Sequence, residues 1–205
     1  MRKAIVERKT KETDITVKLN IDGSGESNIK TGIGLLDHML ELFSFWGYFD
    51  LDIKAKGDFK IDIHHTNEDV AIVLGQAFKK ALGAKLGIRR IGSASAPMEE
   101  VMADVTVDIS GRGSFKLSRT SPGAIITKEE QEKYDVTYAE HFFESFAKQL
   151  GMNLNIAIHV PMAVNLYDLH TTLEPVFKAL GIALDQATQI DPRRKGIPST
   201  KGVID

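Results

Sequence analysis

Residues 36–43 read LDHMLELF, and residues 139–146 read AEHFFESF. Each stretch places an acidic residue directly before a histidine, a glutamate three residues after that histidine and a phenylalanine two residues further on. Apolar residues at positions i, i+3, i+4 and i+7 predict a helix in both stretches. Because the two histidines are 103 residues apart, the chain is predicted to contain two copies of one unit.

A second pair of stretches follows the first pair in the same order. Residues 62–68 read DIHHTNE and residues 168–174 read DLHTTLE, at an offset of 106 residues. Two blocks repeated at nearly the same offset predict an internal duplication. We therefore predict a first half over residues 1–92, a second half over 93–190 and a C-terminal tail over 191–205. The small residues and the proline of residues 91–97 are typical of a connector.

Alternating apolar residues predict the strands of both halves. This pattern covers residues 15–21, 49–55, 105–109 and 154–160, and it is the period of a half-buried strand. Helical spacing returns in residues 70–81 and 173–180. Each half then consists of strands, a helix, a strand and a second helix, which favours an α/β (α+β) sandwich with helices packed on one face of mixed sheets. The polar stretch from Ser118 to Tyr138 breaks the symmetry of the halves.

Composition excludes several classes of function. A formal net charge of -2 argues against nucleic acid as the main partner, because phosphate backbones are bound by unneutralised Lys and Arg. The absence of cysteine excludes disulfides, thiolate catalysis and zinc-thiolate sites. No apolar run is long enough for a signal peptide or a membrane span. We therefore expect a cytoplasmic protein without a membrane partner.

Five of the six histidines lie in the repeated blocks. If a helix begins at residue 64, His64 and His65 share a helical face with Glu68, and His170 and Glu174 repeat the i, i+4 pair. Imidazoles and carboxylates that converge on one face form a metal-ligand cluster. We predict two metal centres related by pseudo-symmetry, completed within the chain or across a subunit interface. The sixth histidine, His159, is at an outward strand position and is predicted to lie on the surface.

The ligand types alone leave the metal open, because imidazole suits zinc, iron or nickel whereas carboxylate favours manganese or magnesium. Arginines stand beside glycines in residues 88–92 and 110–113, and residues 198–201 read PSTK. Hydroxyls, backbone N–H groups and cations of this kind bind phosphate, although a solvated basic tail has the same composition. A small phosphorylated metabolite is the substrate class that these features indicate.

Eight segments together resemble the imidazoleglycerol-phosphate dehydratase family over essentially the whole chain. They are RKTKET at 8–13, TGIGLLDHM at 31–39, DIHHTNEDV at 62–70, GIRR at 87–90, DISGR at 108–112, EHFF at 140–143, EPVFKAL at 174–180 and PSTKG at 198–202. The resemblance implies a duplicated sandwich, each half similar to the second domain of the fifth small-subunit ribosomal protein. It also implies a homo-oligomer, typically of 24 subunits, with two manganese ions per site at subunit interfaces.

The reaction that the resemblance implies is the conversion of imidazoleglycerol phosphate to imidazoleacetol phosphate and water, a step of histidine biosynthesis. By position, the implied metal ligands are His38, His64, His65, Glu68, His141, His170 and Glu174. The implied substrate contacts are Glu12, Arg90, Arg112, Lys178, Ser199 and Lys201. Glu12 and Glu174 are the candidates for acid and base, because proton transfer in a dehydration needs carboxylates near the metals.

The chain departs from the family pattern at Thr171, where a second ligand histidine is expected. A water could fill the position, the metal could bind more weakly, or the activity could be reduced. Pro175 follows Glu174 where a small residue is usual, which is compatible with a helix that begins there. Two other functions use the same ligands, namely a metal-dependent hydrolase and a non-enzymatic assembly in which metal ions only join subunits.

Overall fold

The two halves of the chain fold into the same order of elements, apart from two short additional strands in the second half, in a computed structural model that describes residues 2–119, 125–126, 134–160 and 166–204. The first half comprises β1 (Lys3–Lys9), β2 (Thr13–Asn20), β3 (Ser27–Lys30), α1 (Gly34–Gly47), β4 (Asp50–Gly57) and α2 (His64–Leu82). The second comprises β5 (Ile91–Met98), β6 (Val101–Asp108), β7 (Ser114–Arg119), β8 (Ile125–Ile126), α3 (Val136–Leu150), β9 (Asn153–His159), β10 (Leu166–Tyr167) and α4 (Leu169–Thr188).

The two four-stranded sheets have the same topology. The strand orders are β1-β2-β4-β3 and β5-β6-β9-β7. In each sheet the last pair is parallel and the other pairs are antiparallel. The predicted duplication and the predicted mixed sheets are therefore confirmed. Among the described residues no helix combines the length and the apolar character that crossing a membrane requires.

Four helices lie between the two sheets. Alternation along β2 buries Ile15, Val17 and Leu19 on the side where α2 packs, and α4 covers β5 and β6 of the second sheet in the same way. The helices also pack across the halves, α1 against α4 and α2 against α3. Phe43 and Phe146 meet edge to face at this junction, and full burial of each ring stabilises the fold by about 1.5–3 kcal/mol.

Glycine sets the distance between helices of opposite halves. A Cβ atom on Gly181 of α4 would lie 2.6 Å from the carbonyl oxygen of Phe43 in α1. At the related crossing, a Cβ atom on Gly75 of α2 would lie 2.8 Å from the carbonyl oxygen of Phe146 in α3. Any larger residue would push the backbones apart. The duplication therefore extends to the two helix crossings.

The connector expected at residues 91–97 is wrong, because these residues form β5. Gly92 packs so closely on α4 that a Cβ atom would lie 1.9 Å from the carbonyl oxygen of Ala183. Pro97 is tolerated because β5 is at the edge of its sheet, where proline is usually found. A division of the halves at residue 92 would therefore cut the first two residues of β5, and the link between the halves runs over residues 83–90.

The expectation that a helix begins at Pro175 is also wrong. Helix α4 begins at Leu169, and Pro175 lies in its second turn. The Asp168 carboxylate caps the helix by accepting a hydrogen bond from the Thr171 N–H group. This cap stabilises the first turn and offsets the backbone hydrogen bond that Pro175 cannot donate.

Two further expectations concern the second half. His159 lies half-buried on the outward side of β9, as predicted, with its Nε2 atom 2.7 Å from Oδ2 of Asp104. The polar stretch from Ser118 to Tyr138 falls largely outside the described residues. Its described ends belong to β7 and to the beginning of α3.

Candidate metal centre

A first cluster forms where the beginnings of α1 and α4 meet. The Oε2 atom of Glu174 lies 3.2 Å from Nε2 of His170 and 3.7 Å from Nε2 of His38. The two imidazole rings have centroids 5.0 Å apart. One donor atom from each of the three residues lies within 4.8 Å of the other two, which is the arrangement that a single metal ion requires.

A second cluster forms where α2 meets α3. The Nε2 atom of His64 lies 3.5 Å from Oε2 of Glu68, and the Nδ1 atoms of His64 and His141 are 3.4 Å apart. These rings also have centroids 5.0 Å apart. Each cluster thus combines a His/Glu pair from one half with a histidine from the other half. Within the described residues, only the first cluster brings three donor atoms mutually within 4.8 Å.

Aspartates near the helix beginnings hold the clusters in place. Asp37, next to His38, accepts hydrogen bonds from the N–H group and the hydroxyl of Thr31 at 2.8 and 2.5 Å. Asp135 caps α3 by accepting from the Thr137 N–H group at 2.8 Å. Asp168 caps α4. Each carboxylate satisfies backbone N–H groups that would otherwise lack partners, so the histidines of the first two turns have fixed positions.

His65 points away from both clusters. Its Nδ1 atom lies 3.1 Å from Oδ2 of Asp58 and 3.9 Å from Oε2 of Glu12. The hydrogen bond to Asp58 raises the pKa of His65 above its ordinary value, against a smaller opposite effect of burial, and the negative charge of Glu12 adds to the rise. Of the predicted ligands, His65 is therefore the one whose described contacts place it in neither cluster.

Thr171, which occupies the position equivalent to His65, has a different environment. Its side chain is buried, and its hydroxyl donates a hydrogen bond of 2.7 Å to Oδ2 of Asp168. Burial raises the pKa of Asp168, but the hydrogen bonds from the Thr171 N–H group and hydroxyl outweigh it, so the pKa lies below its ordinary value. The hydroxyl of Thr171 is thus part of the helix cap and does not face the first cluster.

Lys178 adjoins the first cluster. Its Nζ atom lies 2.5 Å from Oε1 of Glu174, one helical turn earlier in α4. Burial alone would raise the pKa of Glu174, but the hydrogen bond and the charge of Lys178 lower it below its ordinary value, with His170 and His38 contributing. The predicted ligand Glu174 is therefore a carboxylate at neutral pH, which is the form that binds a metal ion.

Apart from Glu12, which lies beside His65, the other predicted substrate contacts lie away from the first cluster. We call the region that they define the cationic end, and its residues are Arg90, Arg112, Ser199 and Lys201. The Arg90 guanidinium donates to both oxygens of Asp108, at 2.6 and 3.0 Å, and to the carbonyl oxygen of Pro198 at 3.0 Å. The hydrogen bonds to Asp108 raise the pKa of Arg90 above its ordinary value. These contacts fix the tail beside β6, and Ser199 Oγ accepts from the Lys201 N–H group.

The cationic end and the first cluster are at opposite ends of α4. The Arg90 N–H group donates to the carbonyl oxygen of Ala187, which lies thirteen residues after Glu174 in the helix. At the helical rise this is about 20 Å. A molecule the size of a sugar phosphate is much shorter. The first cluster and the cationic end of one chain are therefore too far apart to contact one such molecule together.

Three residues that contact these groups were not predicted from the sequence. Asp58 contacts His65, Asp108 pairs with Arg90, and the Tyr138 hydroxyl donates to Asp62 at 2.9 Å. Asp58 and Tyr138 have no counterpart in the repeated blocks, because Asp58 lies four residues before the block at 62–68 and Tyr138 lies directly before the block at 139–146. Asp108 lies within a segment that the sequence matched to the family, and its position next to a strand end and two glycines was the available signal.

The donor chemistry of both clusters fits a divalent metal ion. Each offers imidazole nitrogens and a carboxylate oxygen, and the chain has no cysteine. Mixed nitrogen and oxygen donors suit manganese, iron or zinc in a catalytic site better than a structural thiolate zinc site. In the first cluster Lys178 neutralises part of the Glu174 charge, so a metal ion would share this carboxylate with an ammonium group.

The chain is similar to known proteins over most of its length. The family model described as imidazoleglycerol-phosphate dehydratase matches residues 31–184. Curated proteins of that name are 47% identical in Bacillus subtilis, over all of both chains, and 49% identical in Acetivibrio thermocellus, over 99% of both chains. The crystal structure of IGPD from Pyrococcus furiosus is 33% identical, with a TM-score of 0.76 over 97% of this chain and 99% of that one. The Staphylococcus aureus imidazoleglycerol-phosphate dehydratase structure is 30% identical, with a TM-score of 0.75 over 92% and 100%.

Proposed function

The chain belongs to the imidazoleglycerol-phosphate dehydratase family, and from this premise we propose that it converts imidazoleglycerol phosphate to imidazoleacetol phosphate and water. It is then a hydro-lyase of histidine biosynthesis, and the cytoplasm is the location we propose. The single observation that carries the proposal is the first cluster, in which His38, His170 and Glu174 converge from opposite halves of the chain.

We propose His38, His64, His65, Glu68, His141, His170 and Glu174 as the metal ligands, manganese as the metal, and two ions per site. A divalent ion held by these residues would supply Lewis-acid stabilisation of the negative charge that develops on the substrate. The Asp135 and Asp168 caps keep His141, His170 and Glu174 in place before the metal arrives, which lowers the cost of binding. The direction of His65, away from its own chain's clusters, supports a role toward another subunit.

A site shared between subunits follows from the separation along α4. If the first cluster and the cationic end both contact one substrate molecule, they must come from different copies of the chain. This requirement supports a homo-oligomer with active sites at its interfaces. The family resemblance suggests 24 subunits, and this number is part of the proposal.

The remaining proposed residues divide into two groups. Arg90, Arg112, Ser199 and Lys201 bind the phosphate, since they offer cations and a hydroxyl at one end of the molecule. Lys178 binds the substrate next to the metal, where its charge also keeps Glu174 ionised. Glu12 is half exposed and lies beside His65, so it is the candidate that carries a proton to or from the substrate, with Glu174 as the second candidate.

The hydrolase and the purely structural assembly have no specific support. The matching proteins carry the dehydratase name over their full length, and the cationic residues occur at the spacing of that family. The threonine at position 171 is the one feature that would also be expected in a less active member of the family. Because its hydroxyl is engaged by Asp168, we propose that the position contributes no ligand and that the enzyme works without it.

Dehydration of imidazoleglycerol phosphate by metal-stripped protein, with and without added manganese, tests the proposal. We expect turnover that depends on manganese, and we expect its loss in Glu174→Gln, which keeps the shape of the side chain but removes the charge. Hydrolysis of the phosphate should not occur. A protein that binds manganese without dehydrating this substrate would overturn the proposed function.

A further inference from the structure

The first turns of α2 carry two pairs of residues at i, i+4 spacing on adjacent faces. His64 and Glu68 lie on the face toward α3, where His64 meets His141. His65 and Asp69 lie on the face toward the turn between β1 and β2. Asp69 belongs to no metal cluster in the described residues, and it is only 7% exposed. A buried carboxylate needs strong hydrogen-bond partners, and the partners of Asp69 identify its role.

Both oxygens of Asp69 bind the β1–β2 turn. Oδ2 accepts a hydrogen bond of 2.6 Å from the Thr13 hydroxyl, and Oδ1 accepts one of 2.8 Å from Nε of Arg8. Arg8 is next to the end of β1, and Thr13 is the first residue of β2. Asp69 therefore holds both strands where they leave the turn, with a charge-assisted hydrogen bond on each side.

Thr10 makes the turn itself rigid. Its hydroxyl oxygen accepts from the N–H groups of Glu12 and Thr13 at 3.1 and 3.0 Å, and its own N–H group donates to the Thr13 carbonyl oxygen at 2.8 Å. The Glu12 side chain takes no part in this network. It is 54% exposed, and its Oε2 atom lies 3.9 Å from Nδ1 of His65.

We propose that Asp69 is a positioning residue that fixes Glu12 against His65 by clamping the β1–β2 turn to α2 through Thr13 and Arg8. This explains the RKTKET segment at residues 8–13, in which Arg8, Thr10 and Thr13 bind protein groups and leave the Glu12 carboxylate free. The inference rests on the proposed function of Glu12 in proton transfer. A carboxylate that moves a proton must be placed to within a fraction of an ångström, and a clamp on its turn supplies this precision.

Two substitutions of Thr13 separate the clamp from ordinary packing. Thr13→Val keeps the branched shape and removes the hydroxyl, whereas Thr13→Ser keeps the hydroxyl and removes a methyl group. We expect Thr13→Val to lower kcat/KM about tenfold and Thr13→Ser to change it less than about twofold. A packing role would give the opposite order, and that order would overturn the proposal. Lys9→Met is the matched control, because Lys9 pairs with Asp14 at the exposed side of the same turn.

Two further readouts separate this inference from the proposed function. In a Glu12→Gln background, Thr13→Val should cause no additional loss, because the clamp acts through Glu12, and a full additional tenfold loss would contradict it. Amide hydrogen exchange of Glu12 and Thr13 in the intact oligomer should accelerate about tenfold in Thr13→Val and not in Thr13→Ser. Unchanged exchange would refute the clamp even in an active enzyme. Accelerated exchange in a protein without dehydratase turnover would support the clamp and refute the proposed function.

Discussion

The imidazole of His38 and the carboxylate of Glu174 come from opposite halves of the chain, and their Nε2 and Oε2 atoms lie 3.7 Å apart. The equivalent residues of the other halves, His141 and Glu68, flank His64 in the second cluster. Neither half therefore holds a complete cluster. The duplicated unit acquires its donor sets only when α1 packs on α4 and α2 packs on α3, so metal binding depends on how the halves dock.

The helix crossings should be sensitive to single methyl groups. Gly181→Ala would place a Cβ atom 2.6 Å from the Phe43 carbonyl oxygen, which forces α1 and α4 apart. We expect the free energy of unfolding to fall by about 1–3 kcal/mol and manganese binding to weaken at the first cluster. Denaturant titration and metal analysis measure these effects. Gly75→Ala should weaken the second cluster instead, and two variants with wild-type stability would refute the close crossing.

Restoring a histidine at position 171 should change the manganese requirement. We expect Thr171→His to lower the manganese concentration for half-maximal activity about tenfold, as an added ligand tightens binding, and to cost ~1 kcal/mol of stability because the hydroxyl leaves the Asp168 cap. His65→Thr is the matched substitution in the first half and should raise the manganese requirement. An unchanged requirement in both variants would mean that neither position faces a metal ion.

The position of the C-terminal tail should depend on the geometry of the Arg90 guanidinium. Arg90→Lys keeps the charge but cannot contact both oxygens of Asp108 and the Pro198 carbonyl oxygen together. We expect the KM for imidazoleglycerol phosphate to rise about tenfold and amide exchange in residues 196–202 to accelerate. Arg193→Lys, which alters the pair of the exposed Arg193 with Asp191 in the same tail, should leave both quantities unchanged. Equal effects of the two substitutions would argue against an anchoring role for Arg90.

Arg2 should contribute a pH-dependent increment of stability far from the metals. Its hydrogen bonds lower the pKa of Asp22, and it also donates to the carbonyl oxygen of Thr188 at the end of α4. A carboxyl group whose pKa is lowered in the folded state stabilises the fold at pH values above its ordinary pKa. This stabilisation is lost as the pH falls through the lowered pKa. We therefore expect Arg2→Met to destabilise by about 0.5–1 kcal/mol at pH 7. The difference in urea denaturation should shrink below about pH 4. A difference that is equal at both pH values would contradict the pairing.

Much of the fold could be predicted because its elements carry strong periodic signals. The stripe of Leu36, Met39, Leu40 and Phe43 predicts α1, and alternation predicts β2, β4, β6 and β9. The exceptions have local causes. Small residues in 91–97 resemble a loop, but they form a strand that pairs with β6 over its whole length. The close approach of α4 requires a residue as small as Gly92 in this strand. Pro175 resembles a helix beginning, but the Asp168 cap starts α4 six residues earlier.

The sequence identifies candidate residues for the site, but it does not show which of them lie together. The repeated blocks identify the histidines and glutamates, since spacing on a helix determines which residues share a face. Spacing does not determine which helices pack together, so the pairing of His38 with His170 and the divergence of His65 toward Asp58 required the tertiary structure. The separation between Glu174 and Arg90 along α4 required it as well.

Co-expression of two defective variants tests the central claim most directly, namely that one dehydratase site combines the metal cluster of one copy with the cationic end of another. Glu174→Gln removes a proposed metal ligand, and Arg112→Ala removes an exposed cation without affecting the core. Each variant alone should be nearly inactive. Mixed oligomers should recover about a quarter of wild-type manganese-dependent turnover, the fraction of sites that random mixing leaves intact. Mixed oligomers that form, as judged by their mass, and remain inactive would contradict a site shared between copies.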